Sequence, residues 1–351
     1  MKTAITGGAG FIGSHLTEYL LASGDEVAVL DDLSTGSLEN LANVRRHPRF
    51  RFVEGSILDR AAVDSVVAGA DRVFHLAAAV GVKLIVEEPL RSLRTNIHGT
   101  EIVLDATLDA GAILLLASTS EVYGKNASDS LPEDSDRILG SPLKSRWTYA
   151  AAKGIDEAFA HAYWKEFGLR VAIVRLFNTV GPRQTGRYGM VVPNLVGQAQ
   201  RDEPLTVFGD GTQSRCFSYV ADVVPALVRI AEHPAAYGQA FNLGGTYEVS
   251  ILALAERIID QLESASDIRL VPYDKAYAPG YEDMRRRVPD NSKARELVGF
   301  NPKTTIAEII SNVAMSWQTV MRAPARAAAT THDAVTTAGI TTTEPAALAA
   351  R

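Results

Sequence analysis

At 351 residues, with 46% hydrophobic and 22% charged residues, the chain is sized for one large or two medium globular domains with a full core. A net charge of −6 excludes the basic footprint of a nucleic-acid or anionic-membrane binder, so any phosphate must be held by local donors. The single cysteine, Cys216, excludes an internal disulfide, no apolar run is long enough to span a bilayer, and no signal-peptide pattern opens the chain, so a soluble cytoplasmic protein is expected.

The first stretch reads as a strand, a tight turn and a helix. Ala4 and Ile5 lead into glycines at 7, 8, 10 and 13, after which Ile12, Leu16 and Leu20 recur at helical spacing. Glycine lets the backbone approach a ligand closely, and a helix N-terminus offers unpaired N–H groups and a positive dipole end to a pyrophosphate. Two registers are open, G-x-G-x-x-G from Gly8 and G-x-x-G-x-x-G from Gly7. A second apolar run ends in Asp31 and Asp32. Asp31 falls eighteen residues after Gly13, close to the ~20 expected of the acid that bonds the adenosine ribose. Two acids there would repel a 2′-phosphate, which selects NAD over NADP.

Strands are predicted over 50–54 and 71–79, a helix over 89–110, and a central parallel strand over the all-apolar 112–117. Strand and helix alternate, which argues a Rossmann-like α/β fold, a doubly wound parallel sheet with its site at the carboxyl ends of the strands. The fifth strand runs into Ser118-Thr119-Ser120-Glu121, and a polar loop over 125–145 follows. A helix then opens at Trp147 and continues to about Lys165. On it Tyr149 and Lys153 lie one turn apart and share a face; of the eleven tyrosines only Tyr149 has a lysine four residues on. An ammonium beside a phenol favours the phenolate, so the spacing predicts a lowered tyrosine pKa and a usable base near neutral pH.

A sixth strand over 169–177 ends in Asn178 and runs on to Arg183. Beyond it Gly- and Pro-punctuated segments suggest a smaller C-terminal substrate lobe, with arginines at 215 and 285–287 as candidates for negative substrate groups. The expected organisation is a NAD-binding Rossmann domain over 1–178 completed by 216–243, a mainly substrate-binding lobe over 179–322, and an Ala/Thr-rich disordered tail over 323–351. No metal site is expected.

With these residues in hand, the chain resembles the extended short-chain dehydrogenases/reductases that act on nucleotide sugars, over roughly residues 1–320. The resemblance implies the register Gly7, Gly10 and Gly13, with Phe11, Ile12, Asp31, Asp32, Ser56, Ile57, Leu76, Ala77, Ala78, Lys83 and Asn96 in the cofactor pocket. Ser56 departs from the aspartate that many members place against adenine. Thr119 stands where the family keeps its catalytic Ser/Thr, Tyr149 is the implied acid/base, and Lys153 holds the nicotinamide ribose. Asn178, Val192, Phe208 and Arg215, with Arg183 added, form the implied substrate set. The helices near 89–110 and 148–165 imply a homodimer.

Within the family the run Thr119-Ser120-Glu121-Val122-Tyr123-Gly124, and Arg287 before Val288-Pro289-Asp290, are similar to UDP-glucuronate decarboxylases. That likeness implies oxidation at sugar carbon 4 by an internally recycled NAD, loss of carbon dioxide and formation of UDP-xylose, with Glu121 and Arg287 at the sugar's acid end. A UDP-sugar 4-epimerase is the main alternative and a non-catalytic NAD-sensing regulator a remote one.

Overall fold

The computed structural model describes residues 1–80, 88–186, 190–276 and 284–322. Lys83 and the tail over 323–351 lie outside them. The chain first lays down β1 (Lys2–Thr6), α1 (Phe11–Ala22), β2 (Glu26–Asp31), β3 (Phe50–Glu54), α2 (Arg60–Val67), β4 (Arg72–His75), α3 (Pro89–Asp109), β5 (Ile113–Thr119), α4 (Thr148–Phe167) and β6 (Val171–Leu176). Short elements follow: β7 (Thr179–Val180), α5 (Val191–Ala199), β8 (Leu205–Phe208), β9 (Ser214–Cys216), β10 (Ser218–Tyr219) and α6 (Val220–Glu232). Then come β11 (Ala240–Leu243), β12 (Glu248–Ser250), α7 (Ile251–Leu262), β13 (Ile268–Val271), β14 (Arg286–Arg287), α8 (Ser292–Val298) and α9 (Ile306–Arg322).

Seven strands form one parallel sheet in the order β3-β2-β1-β4-β5-β6-β11. This is the doubly wound α/β arrangement, and the strand order reverses between β1 and β4. A crevice opens at that switch, beyond the carboxyl ends of the strands. The central strands are buried on both faces, which is why β5 reads as an unbroken apolar run. Leu16 and Leu20 of α1, Val223 and Leu227 of α6, Ala294 of α8 and Phe300 cover one face. Val63 of α2, Val103 and Leu104 of α3 and Ala160 of α4 cover the other.

β4 stops at His75, short of the predicted strand over 71–79. After it the Leu76 N–H bonds the Thr6 carbonyl and the Ala77 N–H the Thr6 hydroxyl, so the chain leaves the sheet as a loop along the crevice. α4 ends where Gly168 takes the left-handed conformation, φ +70°, that closes a helix.

Beyond β6 a second core gathers Val192 and Leu195 of α5, Val207 of β8, Leu254 and Ile258 of α7, and Ile309 and Ile310 of α9. It packs with two small sheets, β8 with β13 and β12-β9-β14. β11 is made after this lobe has begun but returns to pair with β6. Beneath the crevice, Arg175 of β6 forks onto Glu157 of α4 at 2.8 and 2.9 Å and bonds the Tyr123 hydroxyl, which donates to Asn242 of β11. This buried network ties β6, α4 and β11 to the segment that carries Thr119 and Glu121. Among the described residues no helix is long and apolar enough to cross a membrane.

Candidate active site

A cavity of about 760 Å³ runs from the glycine turn to Arg287. At one end the turn is fixed by backbone constraints. Gly7 has φ +75°, and a Cβ on it would sit 2.6 Å from the Ala77 nitrogen. A Cβ on Gly13 would sit 2.2 Å from the Gly7 oxygen. Gly10 is the N-cap of α1 and supplies no side-chain cap, so the first N–H groups of that helix are left for a ligand. A Cβ on Gly8 would also be too close, 2.6 Å from both methyl groups of the buried Val29. The crowded positions are therefore Gly7, Gly8 and Gly13, Gly7 alone of the four having a positive φ and Gly10 being the least crowded.

Asp31 closes this end. Its carboxylate accepts the Ala9 and Leu33 N–H groups, each at 2.9 Å, and burial pushes its pKa up against those donors. Phe11, Ile12, Asp32, Ile57, Leu76, Ala77 and Ala78 also line the cavity. Ser56, Asn96 and the buried Lys153 do not. The Ser56 hydroxyl is turned to the Leu58 N–H, and the Asn96 amide is spent on Ala79, accepting its N–H at 2.8 Å and donating to its carbonyl at 3.2 Å. Asn96 shapes the pocket from behind rather than facing it.

At the middle, Thr119 ends β5 and Tyr149 stands on the first turn of α4, both lining the cavity. The expected lowering of the Tyr149 pKa is not what this site does. Burial pushes the phenol upward, and the negative charges of Glu121 and Asp156 push it further the same way. Burial is the largest cause, and the lysine is not a lone cation that could offset it: its ammonium is paired with Asp156 at 2.9 Å, and both side chains are buried.

At the far end Glu121 meets two guanidinium groups. Arg146 donates to its two oxygens at 2.6 and 3.2 Å, and Arg287 stands 3.7 Å away. Burial alone would raise the Glu121 pKa, but Arg146 and Arg287 outweigh it and hold the carboxyl below its ordinary range. Arg287 also donates to Ser120 at 3.2 Å and to the Asn178 side-chain oxygen at 3.3 Å. The Asn178 amide nitrogen donates to the Cys216 carbonyl, so both ends of this side chain have protein partners.

Val192, Phe208 and Arg215 line the second-lobe wall with Asn178 and Arg183. Arg183 sits apart from the others. It is held by Glu18 of α1 at 2.6 Å, which puts it at the glycine-turn end and not beside Phe208 and Arg215. Arg286 is turned onto Glu248 at 2.7 and 2.8 Å and serves the small sheet. Sequence reasoning missed Arg146 and Asp156. The signal for Arg146 was its place three residues before Tyr149, at the mouth of the same helix. For Asp156 it was the helical stripe: positions 149, 153 and 156 follow i, i+4, i+7.

This arrangement, a nucleotide-sized crevice at the switch point with a tyrosine–lysine pair beside it, has matching relatives. The chain is 39% identical over 305 residues to UDP-N-acetyl-alpha-D-glucosaminuronate decarboxylase of Bacillus cytotoxicus, covering 87% of this chain and 94% of that one. It is 36% identical to UDP-glucuronic acid decarboxylase 1 of Arabidopsis thaliana, over 88% of this chain and 68% of that one. Its fold superposes on the UDP-glucuronic acid 4-epimerase of Bacillus cereus, solved with UDP-glucuronic acid and NAD, with a TM-score of 0.82 at 29% identity, covering 91% of this chain and all of that one. Residues 4–313 match the profile of the GDP-mannose 4,6 dehydratase family. The glycine turn, the sheet and these matches together make the chain a member of that family, an extended short-chain dehydrogenase/reductase of nucleotide-sugar chemistry.

Proposed function

We propose that the protein is a NAD-dependent UDP-glucuronate decarboxylase that forms UDP-xylose. The observation that carries this reading is the end of the cavity where two arginines face one carboxylate. Arg146 and Arg287 converge there on Glu121, and guanidinium groups are the side chains suited to hold a substrate carboxylate at sugar carbon 6. A neutral hexose would offer such a cluster hydroxyl groups but no charge.

The residues fit NAD at the opposite end. The side-chain-free turn of Gly7, Gly10 and Gly13 lines the cavity, the first turn of α1 offers its N–H groups, and Asp31 and Asp32 favour an adenosine ribose with a free 2′-hydroxyl. Phe11, Ile12, Ile57, Leu76, Ala77 and Ala78 would flank it, with Lys153 at the nicotinamide ribose. When bound, NAD supplies a hydride acceptor for carbon 4 and later the hydride donor, so no net oxidant is consumed.

Tyr149 takes the proton of the sugar 4-hydroxyl in its ionised form, which the positive charge of bound NAD would favour, with Thr119 alongside. The 4-keto group is then β to the carboxylate. The bond from carbon 5 to carbon 6 can break with its electron pair moving into an enolate, and Arg287 and Arg146 hold the departing carboxylate until it does. The reaction draws one proton from solvent to carbon 5, and Tyr149 and Glu121 are the groups placed to relay it. Val192, Phe208 and Arg215 form the wall for the UDP moiety.

A UDP-glucuronate 4-epimerase would use the same anion cluster and is the second reading; the decarboxylase names carried by relatives at 35–39% identity favour the first. Incubation with UDP-glucuronate should release carbon dioxide and UDP-xylose, and formation of UDP-galacturonate without pentose would overturn the decarboxylase reading. Arg287→Met should lower kcat/KM for UDP-glucuronate by about 10–100-fold, the worth of a charged hydrogen-bonded pair. We also propose a homodimer through α3 and α4, which pack together and carry exposed Leu90, Ile155, Trp164 and Phe167. Sedimentation should give twice the chain mass of 37.7 kDa.

A further inference from the structure

Tyr149, Lys153 and Asp156 form one stripe of α4 facing the sheet and α3. Asp156 is completely buried and takes the Lys153 ammonium on one oxygen at 2.9 Å. Its second oxygen, next to the Thr100 hydroxyl of α3, has no well-formed hydrogen bond. Thr100 itself faces His75 of β4 at 3.0 Å, and the other ring nitrogen of His75 faces Thr6 of β1 at 2.6 Å. Burial drives the His75 pKa down to about 3, with the Lys153 charge acting the same way, so this ring is neutral. The remaining charges nearby are already engaged: Glu157 with Arg175 of β6, and Glu121 with Arg146 and Arg287. Asp156 is thus the carboxylate to which the Lys153 ammonium is bonded.

We infer that Asp156 is a positioning residue of the tyrosine–lysine pair, tethering the Lys153 ammonium along α4 and setting how much of its charge reaches Tyr149. The roles of Tyr149 and Lys153 in this statement rest on the proposed function; the tether itself does not. Two consequences follow from electrostatics. With Asp156 in place, the Lys153 charge is matched by an anion at 2.9 Å, and burial, Glu121 and Asp156 all favour the protonated phenol of Tyr149. With Asp156 made neutral, the same cation acts on the phenol uncompensated.

The test reads tyrosine ionisation directly and needs no substrate. Ultraviolet pH titrations are subtracted in pairs, wild type minus Tyr149→Phe and Asp156→Asn minus Asp156→Asn/Tyr149→Phe, so that each difference reports Tyr149 alone. The tyrosinate signal in the Asp156→Asn pair should appear at least about 1 pH unit below that of the wild-type pair. Asp156→Glu, which keeps the charge, should track wild type. Coincident titrations of the wild-type and Asp156→Asn pairs would overturn the inference, even in a protein that decarboxylates UDP-glucuronate as proposed. Conversely, a shifted titration in a protein without that activity would leave the tether standing and sink only the functional reading. Because Asp156→Asn leaves a buried cation without a partner and so threatens folding, Lys153→Met and Lys153→Met/Asp156→Asn are compared as well. An unpaired buried Asp156 takes up a proton, so the Tyr149 titration should be the same in both; a further shift in the double variant would show that Asp156 does not act through Lys153.

Discussion

Tyr149→Phe should lower kcat by about 10²–10⁴-fold, the range for losing a positioned acid/base group, while leaving the fold intact and NAD bound. Only one oxygen atom is removed. The ring stays in a buried slot on α4, and the strongest polar ties around it, Lys153 with Asp156 and Glu157 with Arg175, do not involve the phenol. Loss of rate with unchanged thermal unfolding would therefore separate chemistry from stability. The measurement is turnover of UDP-glucuronate in steady state, with bound NAD quantified after denaturation. Turnover within about threefold of wild type would remove Tyr149 from its assigned role, because general acid–base catalysis is worth far more than that.

Gly13→Ala should fail differently, in the fold first and the cofactor second. A Cβ at residue 13 would stand 2.2 Å from the Gly7 oxygen and 2.7 Å from the Gly8 Cα, and both are backbone atoms that cannot rotate aside. Either α1 lifts from β1 or the turn opens, with an overpacking cost of about 1–3 kcal/mol or more. Urea unfolding should show the midpoint falling, and the purified protein should carry little NAD. Gly10→Ala is the matched control. Its Cβ would be 3.1 Å from the Gly7 oxygen, a contact that a small shift relieves, so NAD should be weakened with much less loss of stability. Equal destabilisation by both substitutions would mean that residue 13 is not the point of closest helix–strand contact.

The α/β architecture was legible because each of its causes is local. β5 announces itself by an unbroken apolar run, α1 by apolar spacing, and the turn between β1 and α1 by its glycines, of which Gly7 takes φ +75°, a conformation that favours glycine. The gathering of Gly7, Thr119, Glu121, Tyr149 and Arg287 around one cavity was also legible, since a doubly wound sheet sends its strand ends to one place. What escaped was set by side-chain direction. Asn96 and Ser56 stand in the right stretches but spend their polar atoms on neighbouring backbone. Arg183 is drawn to the cofactor end by Glu18, a partner far away in sequence. The tyrosine–lysine spacing alone implied an acidic phenol. That inference failed because burial favours the neutral phenol, and because it counted the cation and omitted the carboxylates of Glu121 and Asp156.

The return of β11 to the edge of β6 has a consequence for how this protein is made on the ribosome. The large sheet cannot be finished when its sixth strand emerges. Its last strand comes only at Ala240–Leu243, and its packed face still needs Ala294 and Phe300. The two lobes are therefore interleaved in synthesis rather than made one after the other. An early-formed half-sheet must wait with an open β6 edge while some sixty further residues are translated. Cutting the gene between the lobes would not yield two self-sufficient pieces, since the first would lack both its closing strand and part of its core.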